Sequence, residues 1–234
     1  MLRFAAMPDS APTTVGARGQ TRLEEPSARQ RSIARRAAES RATVPDVELM
    51  AEVDMRSPLA LLAQQGSVTA MLVRACALAL REVPRANAAY RDGRFELYSR
   101  VNVAITVATD DAYLTPILFD ADRKSLAQCS AEIEDLSRRA RAGELTPPEL
   151  SGATFTLTDL GAYGIAGAST VVTPSQAAAL TAGAIRELAL VRDGALRSTP
   201  AVTLTLTCDH RILYWAQAAA FLNRIGRLLS EATL

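Results

Sequence analysis

Residue types suited to metal chemistry are scarce in this sequence, which has one histidine and three cysteines among 234 residues. Cys76, Cys129 and Cys208 are far apart and form no CxxC pair, so we expect neither a disulfide framework nor a zinc site. The acidic residues show no spacing of the EF-hand kind. We therefore predict that the protein binds no metal.

An excess of charge of one sign and a long hydrophobic run are also missing. Lys and Arg total 26 against 25 Asp and Glu, so no overall field attracts nucleic acid or an acidic membrane. The longest apolar stretch, residues 68–83, contains Arg74 and Arg81 and is too short to cross a bilayer. Residues 1–6 are too short for a secretory signal. We expect a cytoplasmic protein that binds neither nucleic acid nor membrane.

The remaining composition suits one large core, because 49% of the residues are hydrophobic. Residues 1–27 are rich in Pro, Ser, Thr, Gly and Arg and show no hydrophobic period, which predicts a flexible N-terminal arm. Residues 28–234 are predicted to form a single catalytic domain.

Hydrophobic periodicity predicts four helices and a larger number of short strands in that domain. The predicted helices are 28–41, 67–82, 124–142 and 215–229, and the predicted strands are 44–55, 94–98, 101–109, 113–119, 154–160, 170–172, 178–190 and 201–208. Because helices and strands do not alternate strictly, we predict an α+β fold: a two-layer sandwich with a mixed β-sheet and packed helices.

The candidate catalytic residue is the only histidine, His210. It follows a well-patterned strand and stands between Asp209 and Arg211, which could orient the imidazole. Histidine is the side chain best suited to proton transfer near neutral pH. The alternative interpretation is a strand-end residue that merely satisfies a hydrogen bond.

Five motifs, in order, resemble those of the dihydrolipoyl acyltransferases, members of the chloramphenicol acetyltransferase-like superfamily. The segment 209–213, Asp-His-Arg-Ile-Leu, resembles the family's Asp-His-Arg-Val-Ile, and 152–161 resembles Gly-Gly-Thr-Phe-Thr-Ile-Ser-Asn-Leu-Gly. The match at 209–213 continues into the helix containing 218–222, and the other similar segments are 84–88, 120–126 and 174–180. Together they span about residues 30–234, which is far more specific than one motif.

The resemblance implies a chloramphenicol acetyltransferase-like trimer with each active site between two subunits. In that family a histidine, here His210, takes a proton from a thiol or hydroxyl that attacks an acyl thioester such as acetyl-CoA directly. By motif position Thr158 would hold the oxyanion, although a strand threonine of that kind also suits β-propensity alone. Asp209 and Arg211 would form ion pairs that support the His210 loop.

Two departures from the family pattern affect the predicted function. Tyr214 and Trp215 stand where the family has Asp or Asn followed by Gly, and they either line an apolar acceptor pocket or simply pack. No lipoyl or subunit-binding segment precedes the predicted catalytic domain. This second departure favours a stand-alone acetyltransferase.

The leading hypothesis is therefore acyl transfer, with acetyl-CoA as co-substrate, to a hydroxyl of a small molecule such as a polyketide or tetronate intermediate. The alternatives are a dihydrolipoyl acyltransferase core of a 2-oxo acid dehydrogenase complex and a non-catalytic trimeric scaffold. A homotrimer is expected in each case, with a 24-subunit particle as the larger possibility. The acyl acceptor, the acyl length and the CoA-contacting residues stay open.

Overall fold

The computed structural model describes residues 14–62, 66–192 and 194–234. The helices in these ranges are α1 (Ala28–Thr43), α2 (Arg56–Leu62), α3 (Val68–Glu82), α4 (Leu126–Ala142) and α5 (Trp215–Ser230). The strands are β1 (Thr14–Gly16), β2 (Gly19–Thr21), β3 (Asp46–Asp54), β4 (Ala88–Arg91), β5 (Arg94–Leu97), β6 (Val103–Ile105), β7 (Val107–Ala108), β8 (Tyr113–Leu114), β9 (Ile117–Leu118), β10 (Phe155–Asp159), β11 (Ala178–Ala182), β12 (Arg186–Arg192) and β13 (Ala195–Asp209).

A mixed sheet of seven strands organises the described part of the chain. Its order is β12-β13-β11-β10-β6-β9, and β3 pairs with β13 as well. β10 runs parallel to β6 and β11, and the other pairs are antiparallel. Three two-stranded ribbons, β1-β2, β4-β5 and β7-β8, lie outside this sheet. A mixed sheet with packed helices is the predicted architecture.

Local signals explain where the main helices begin and end. Ser67 and Ser125 accept hydrogen bonds from backbone amides in the first turns of α3 and α4. Gly143 adopts a left-handed conformation that ends α4. These helices and α5 therefore lie close to their predicted positions.

The core lies between one face of the sheet and the helices α3 and α5. Alternation along β10 turns Phe155 and Leu157 into this core, where both are fully buried. Phe155 meets Phe221 of α5 edge to face, with 6.1 Å between the ring centroids. The threonines of β10 lie on the opposite face of the strand, and the candidate site lies on that face.

Some predicted elements differ from the structure. The predicted strand 170–172 is a loop, in which the Thr170 amide donates to the Thr207 hydroxyl instead of pairing in the sheet. The predicted strand 178–190 is broken after Ala182, and the Ala184 amide donates to the Ile165 carbonyl of another loop instead of to β13. This loop passes so close to Gly183 that a Cβ there would be 1.9 Å from the Ala166 oxygen. Helix α2 and strand β4 were not predicted.

The predicted strands 101–109 and 113–119 are each divided into two shorter strands. The interruption falls at Thr106, whose amide donates to the Leu157 carbonyl of β10 while the chain leaves the main sheet for the β7-β8 ribbon. Alternation along β6 turns the Thr106 side chain away from the core, on the same side as Ala104, and the candidate site described below lies on that side.

The predicted N-terminal arm falls partly outside the described residues, which begin at residue 14. Its described part contains the β1-β2 hairpin. The boundary at residue 27 stays a prediction. Over the described ranges, no helix is both long and apolar enough to cross a membrane.

Replacing Phe221 by Ala should lower the free energy of unfolding by about 3–5 kcal/mol, because it leaves a cavity at the sheet–helix interface. Asn223→Ala is the matched control, since Asn223 lies on the exposed side of the same helix and should change stability by less than about 0.5 kcal/mol. Urea denaturation at one protein concentration measures both. Equal midpoints for the two variants would show that this interface is not the core.

Candidate active site

His210 lies on a tight turn directly after β13. The Asp209 amide donates to the Ala177 carbonyl and the His210 amide donates to the Pro45 carbonyl, so neighbouring elements hold the backbone on both sides. The Asp209 carbonyl accepts the Leu213 amide, which closes the turn at 3.0 Å. The turn presents the half-buried imidazole at the end of the strand.

The imidazole orientation is set by one contact within this turn. His210 Nδ1 lies 3.1 Å from the Leu213 carbonyl oxygen. Because a carbonyl only accepts hydrogen bonds, this contact requires the proton on Nδ1. Nε2 of the neutral ring is then left with a lone pair, which is the arrangement a general base needs.

Tyr214 and Trp215 flank the imidazole on the outer surface. Their ring centroids lie 5.8 Å and 5.4 Å from that of His210, with Tyr214 edge to face. The two residues remain 50% and 56% exposed, which is high for large aromatic side chains. They surround the ring with apolar surface, and their role stays a prediction.

Asp209 and Arg211 form a bidentate ion pair beside the base. Arg211 Nε and Nη2 donate to the two Asp209 carboxylate oxygens at 2.9 and 2.6 Å. The Asp209 carboxylate, which is only 1% exposed, raises the pKa of Arg211 because it accepts these hydrogen bonds. The pair stabilises the turn through the backbone, since the Arg211 amide also donates to Asp209.

Thr158 lies elsewhere, on the face of β10 that turns away from the core. Its hydroxyl lies 2.8 Å from the hydroxyl of Thr106, and either can be the donor. Thr106 was not predicted as a site residue. Its proximity depends on the pairing of β6 with β10, which no local pattern in the sequence indicates.

A cleft of about 950 Å³ opens in front of this hydroxyl pair. Its walls are rich in Ser and Thr, and α1 contributes Arg36, Ala37 and Ser40 to one side. Among the described residues that line it, the charged ones are Arg36 and Arg100, and none is acidic. Such a cleft suits a polar ligand that carries negative charge.

The two predicted catalytic residues are not brought together within one chain. The cleft contains Thr158 but its lining does not include His210. Thr158 pairs with Thr181 of β11 and Thr181 pairs with Thr205 of β13, five residues before His210. Thr158 and His210 are therefore two strand spacings apart across the sheet and five residues apart along β13. These two separations place their Cα atoms roughly 20 Å from each other.

No ligand set for a metal ion accompanies these groups. Within residues 14–62, 66–192 and 194–234, no three His, Cys, Asp or Glu side chains cluster in a way that could hold an ion. The three cysteines are buried and free.

The chain is similar in sequence to acetyltransferase components of pyruvate dehydrogenase complexes. It is 36% identical over 239 residues to the dihydrolipoyllysine-residue acetyltransferase component of Bacillus subtilis, with 97% of this chain and 54% of the relative covered. The chain spans about half the length of the curated relatives it matches.

The solved structures that share this fold include proteins of the same kind. Dihydrolipoamide acetyltransferase of Azotobacter vinelandii has a TM-score of 0.90 and 26% identity, with 97% of this chain and 98% of that chain covered. The cubic core of a pyruvate dehydrogenase multienzyme complex matches with the same TM-score, identity and coverage. A chloramphenicol acetyltransferase at TM-score 0.52 and 16% identity, covering 83% of this chain and 94% of that chain, shares the fold.

The Azotobacter enzyme was studied for the role of a serine, a histidine and an asparagine in its catalytic mechanism. In that enzyme the serine lies 52 residues before the histidine, and the asparagine four residues after it. Here Thr158 lies 52 residues before His210, and Tyr214 four residues after it. The chain thus has a hydroxyl and an imidazole at the same spacing, and a phenol in place of the amide.

These findings overturn the leading hypothesis from the sequence. Transfer to a hydroxyl of a polyketide or tetronate intermediate is wrong as the main interpretation, because the similar proteins are dihydrolipoyllysine-residue acetyltransferases. The hypothesis depended on the segment that precedes the domain and on the aromatic pair Tyr214 and Trp215, and neither feature identifies the acceptor. The dihydrolipoyl alternative fits better.

The family match covers nearly all of the described chain. Residues 19–234 match the 2-oxoacid dehydrogenases acyltransferase (catalytic domain) family, which confirms the predicted superfamily, its enzyme class and the α+β fold. The chain belongs to this acyltransferase family.

Proposed function

We propose that this chain transfers an acyl group between CoA and a dihydrolipoyl thiol, as the catalytic domain of a dihydrolipoyllysine-residue acetyltransferase. The observation that carries the proposal is the pairing of Thr158 and His210 at the spacing of the Azotobacter serine and histidine. Identity of 35–36% to two acetyltransferase components supports the same substrates.

The geometry supports direct transfer with His210 as general base. In one direction, Nε2 takes the proton of the CoA thiol, and the sulfur attacks the carbonyl carbon of the acyl-dihydrolipoyl thioester. The Thr158 hydroxyl donates to the oxyanion that forms. When the intermediate collapses, the carbon–sulfur bond to the dihydrolipoyl group breaks, and the imidazolium returns its proton to that sulfur.

The roughly 20 Å between Thr158 and His210 in one chain supports an active site shared between subunits. We place the Thr158 cleft of one subunit against the His210 turn of the next, in a homotrimer. The similarity to a cubic core supports further assembly of such trimers into the 24-subunit particle, the larger of the two assemblies considered from the sequence.

The cleft is the proposed CoA side of this shared site. Arg36 is an exposed cation at its wall, whereas Arg100 is paired with Asp120. The absence of acidic residues among the described lining residues suits the phosphates of CoA. Tyr214 and Trp215 provide apolar surface on the opposite side for the hydrocarbon part of the dihydrolipoyl group.

Replacing His210 by Ala should lower kcat for acetyl transfer between acetyl-CoA and dihydrolipoamide by about 10²–10⁴-fold, because the thiol loses its base. CoA binding, measured by calorimetry, should persist, since the cleft is built from other residues. Near-normal turnover in this variant would refute the mechanism. A wild-type protein that binds CoA but transfers nothing would favour the non-catalytic scaffold.

Replacing Thr158 by Ala should lower kcat by about 10²–10³-fold, because the oxyanion loses a donor. Thr158→Ser should retain most activity, since the hydroxyl remains. The matched control is Thr156→Ala, on the same strand and face, whose hydroxyl donates to Gln176. Steady-state kinetics measures kcat for each variant. Equal losses of kcat in Thr158→Ala and Thr156→Ala would show that Thr158 has no special role in transfer.

Coexpression of the His210→Ala and Thr158→Ala chains should restore transfer to about a quarter of the wild-type rate, because in randomly mixed cyclic trimers about one site in four receives both intact residues. The same variants purified separately and mixed without subunit exchange should stay inactive. Absence of restored activity in verified mixed trimers would place both residues in one subunit's site.

A further inference from the structure

The turn that carries His210 is contacted by a hairpin that lies outside the main sheet. This hairpin is the β4-β5 ribbon, and a short 3₁₀ turn, Pro84–Ala86, precedes it. Ala88 and Ala89 of β4 are buried, and Ala88 belongs to the core, whereas every residue of β5 is exposed. β5 therefore adds little to the core, and burial of apolar surface does not explain the position of its Phe95, which is 39% exposed.

The first contact path runs from the turn to the hairpin. Arg211 is held by Asp209 through the bidentate ion pair. Its guanidinium carbon then lies 4.6 Å from the centroid of the Tyr90 ring on β4. This distance is typical of a cation–π interaction.

The second path runs back from the hairpin to the turn. Tyr90 and Phe95 are cross-strand partners whose ring centroids lie 6.0 Å apart, edge to face. The Arg85 guanidinium lies 3.7 Å from the centroid of Phe95, and its Nη2 donates to the Ile212 carbonyl at 3.3 Å. The path from Asp209 through both arginines and both rings thus closes on Ile212.

This closed path ends one residue before the group that orients the base. Ile212 is followed by Leu213, whose carbonyl accepts from His210 Nδ1. The Ile212 and Leu213 carbonyls belong to successive peptide groups, so a shift of the first group would change the backbone torsions of Leu213 and move the second carbonyl relative to the imidazole. Arg85 opposes this shift because one guanidinium both stacks on Phe95 and donates to the Ile212 carbonyl, which a lysine side chain cannot do with the same geometry.

We propose that the β4-β5 hairpin positions the catalytic base, with Arg85 as a positioning residue that acts through the Ile212 carbonyl. This inference rests on the proposed function of His210. It assigns Phe95 and Tyr90 a role in holding the turn rather than in binding substrate.

The test compares Arg85→Met with Arg91→Met. Arg91 is the matched control, because it lies on the adjoining hairpin, six residues further along the chain, and pairs with the exposed Glu96. Arg85→Met should lower kcat by about 10- to 100-fold through misplacement of the base, with KM for CoA changed by less than about twofold. Arg91→Met should leave kcat and KM near wild type. Equal kcat values for the two variants would overturn the proposal.

A second pair of variants keeps the proposal testable if Arg85→Met unfolds. Phe95→Tyr keeps the aromatic face under Arg85 and should retain wild-type kcat, whereas Phe95→Leu removes it and should lower kcat. The proposal would be overturned if Phe95→Leu lost kcat and thermal midpoint in parallel and Phe95→Tyr lost both by the same amounts. The role of Phe95 would then be structural only.

A readout independent of activity uses the fact that His210 is the only histidine. In protein labelled with [¹⁵N]histidine, the neutral ring of the wild type should give the spectrum of the Nδ1-protonated tautomer. Arg85→Met should give a mixture of tautomers, and Arg91→Met should not. An unchanged spectrum in Arg85→Met would overturn the positioning role, even if His210→Ala abolishes transfer. An active His210→Ala variant would instead reject the proposed function.

Discussion

The central strand β13 is hydrogen-bonded along both edges, and the other features of the site depend on this pairing. Residues 204–208 pair with β11 on one edge and with β3 on the other. A strand held in this way cannot slip without moving its side chains to the wrong face. It therefore delivers Asp209 and His210 at a defined point, and it fixes how far Thr158 lies from that point.

Helix positions could be predicted from the sequence where the signals are local. Ser67, Ser125 and Gly143 act on the backbone within a turn of their own positions. The failures involve distant contacts. The predicted strand 178–190 is interrupted where the Ala184 amide donates to the Ile165 carbonyl of another loop. Thr170 leaves the predicted strand 170–172 for a side-chain partner on β13.

The candidate site shows the same limit. Motifs identified His210 and Thr158, because each lies in a contiguous segment that resembles the family. Thr106 depends on strand register, and the contact path through Arg85 and Phe95 joins residues more than a hundred positions from Ile212. The acceptor was assigned wrongly because it was inferred from the segment that precedes the domain and from the aromatic pair beside His210, and neither feature identifies the group that receives the acyl chain.

The charge pattern of the cleft has a consequence for pH. The ionisable side chains that line its described part are arginines and tyrosines, and no carboxylate or imidazole is among them. At the edge of the cleft, the hydrogen bond from Arg100 lowers the pKa of Asp120. A change in the affinity for a phosphate ligand between about pH 5 and 8 would therefore come chiefly from the ligand's own phosphate, whose second pKa is about 6. At saturating ligand, the variation of kcat with pH would then report on the proton transfer.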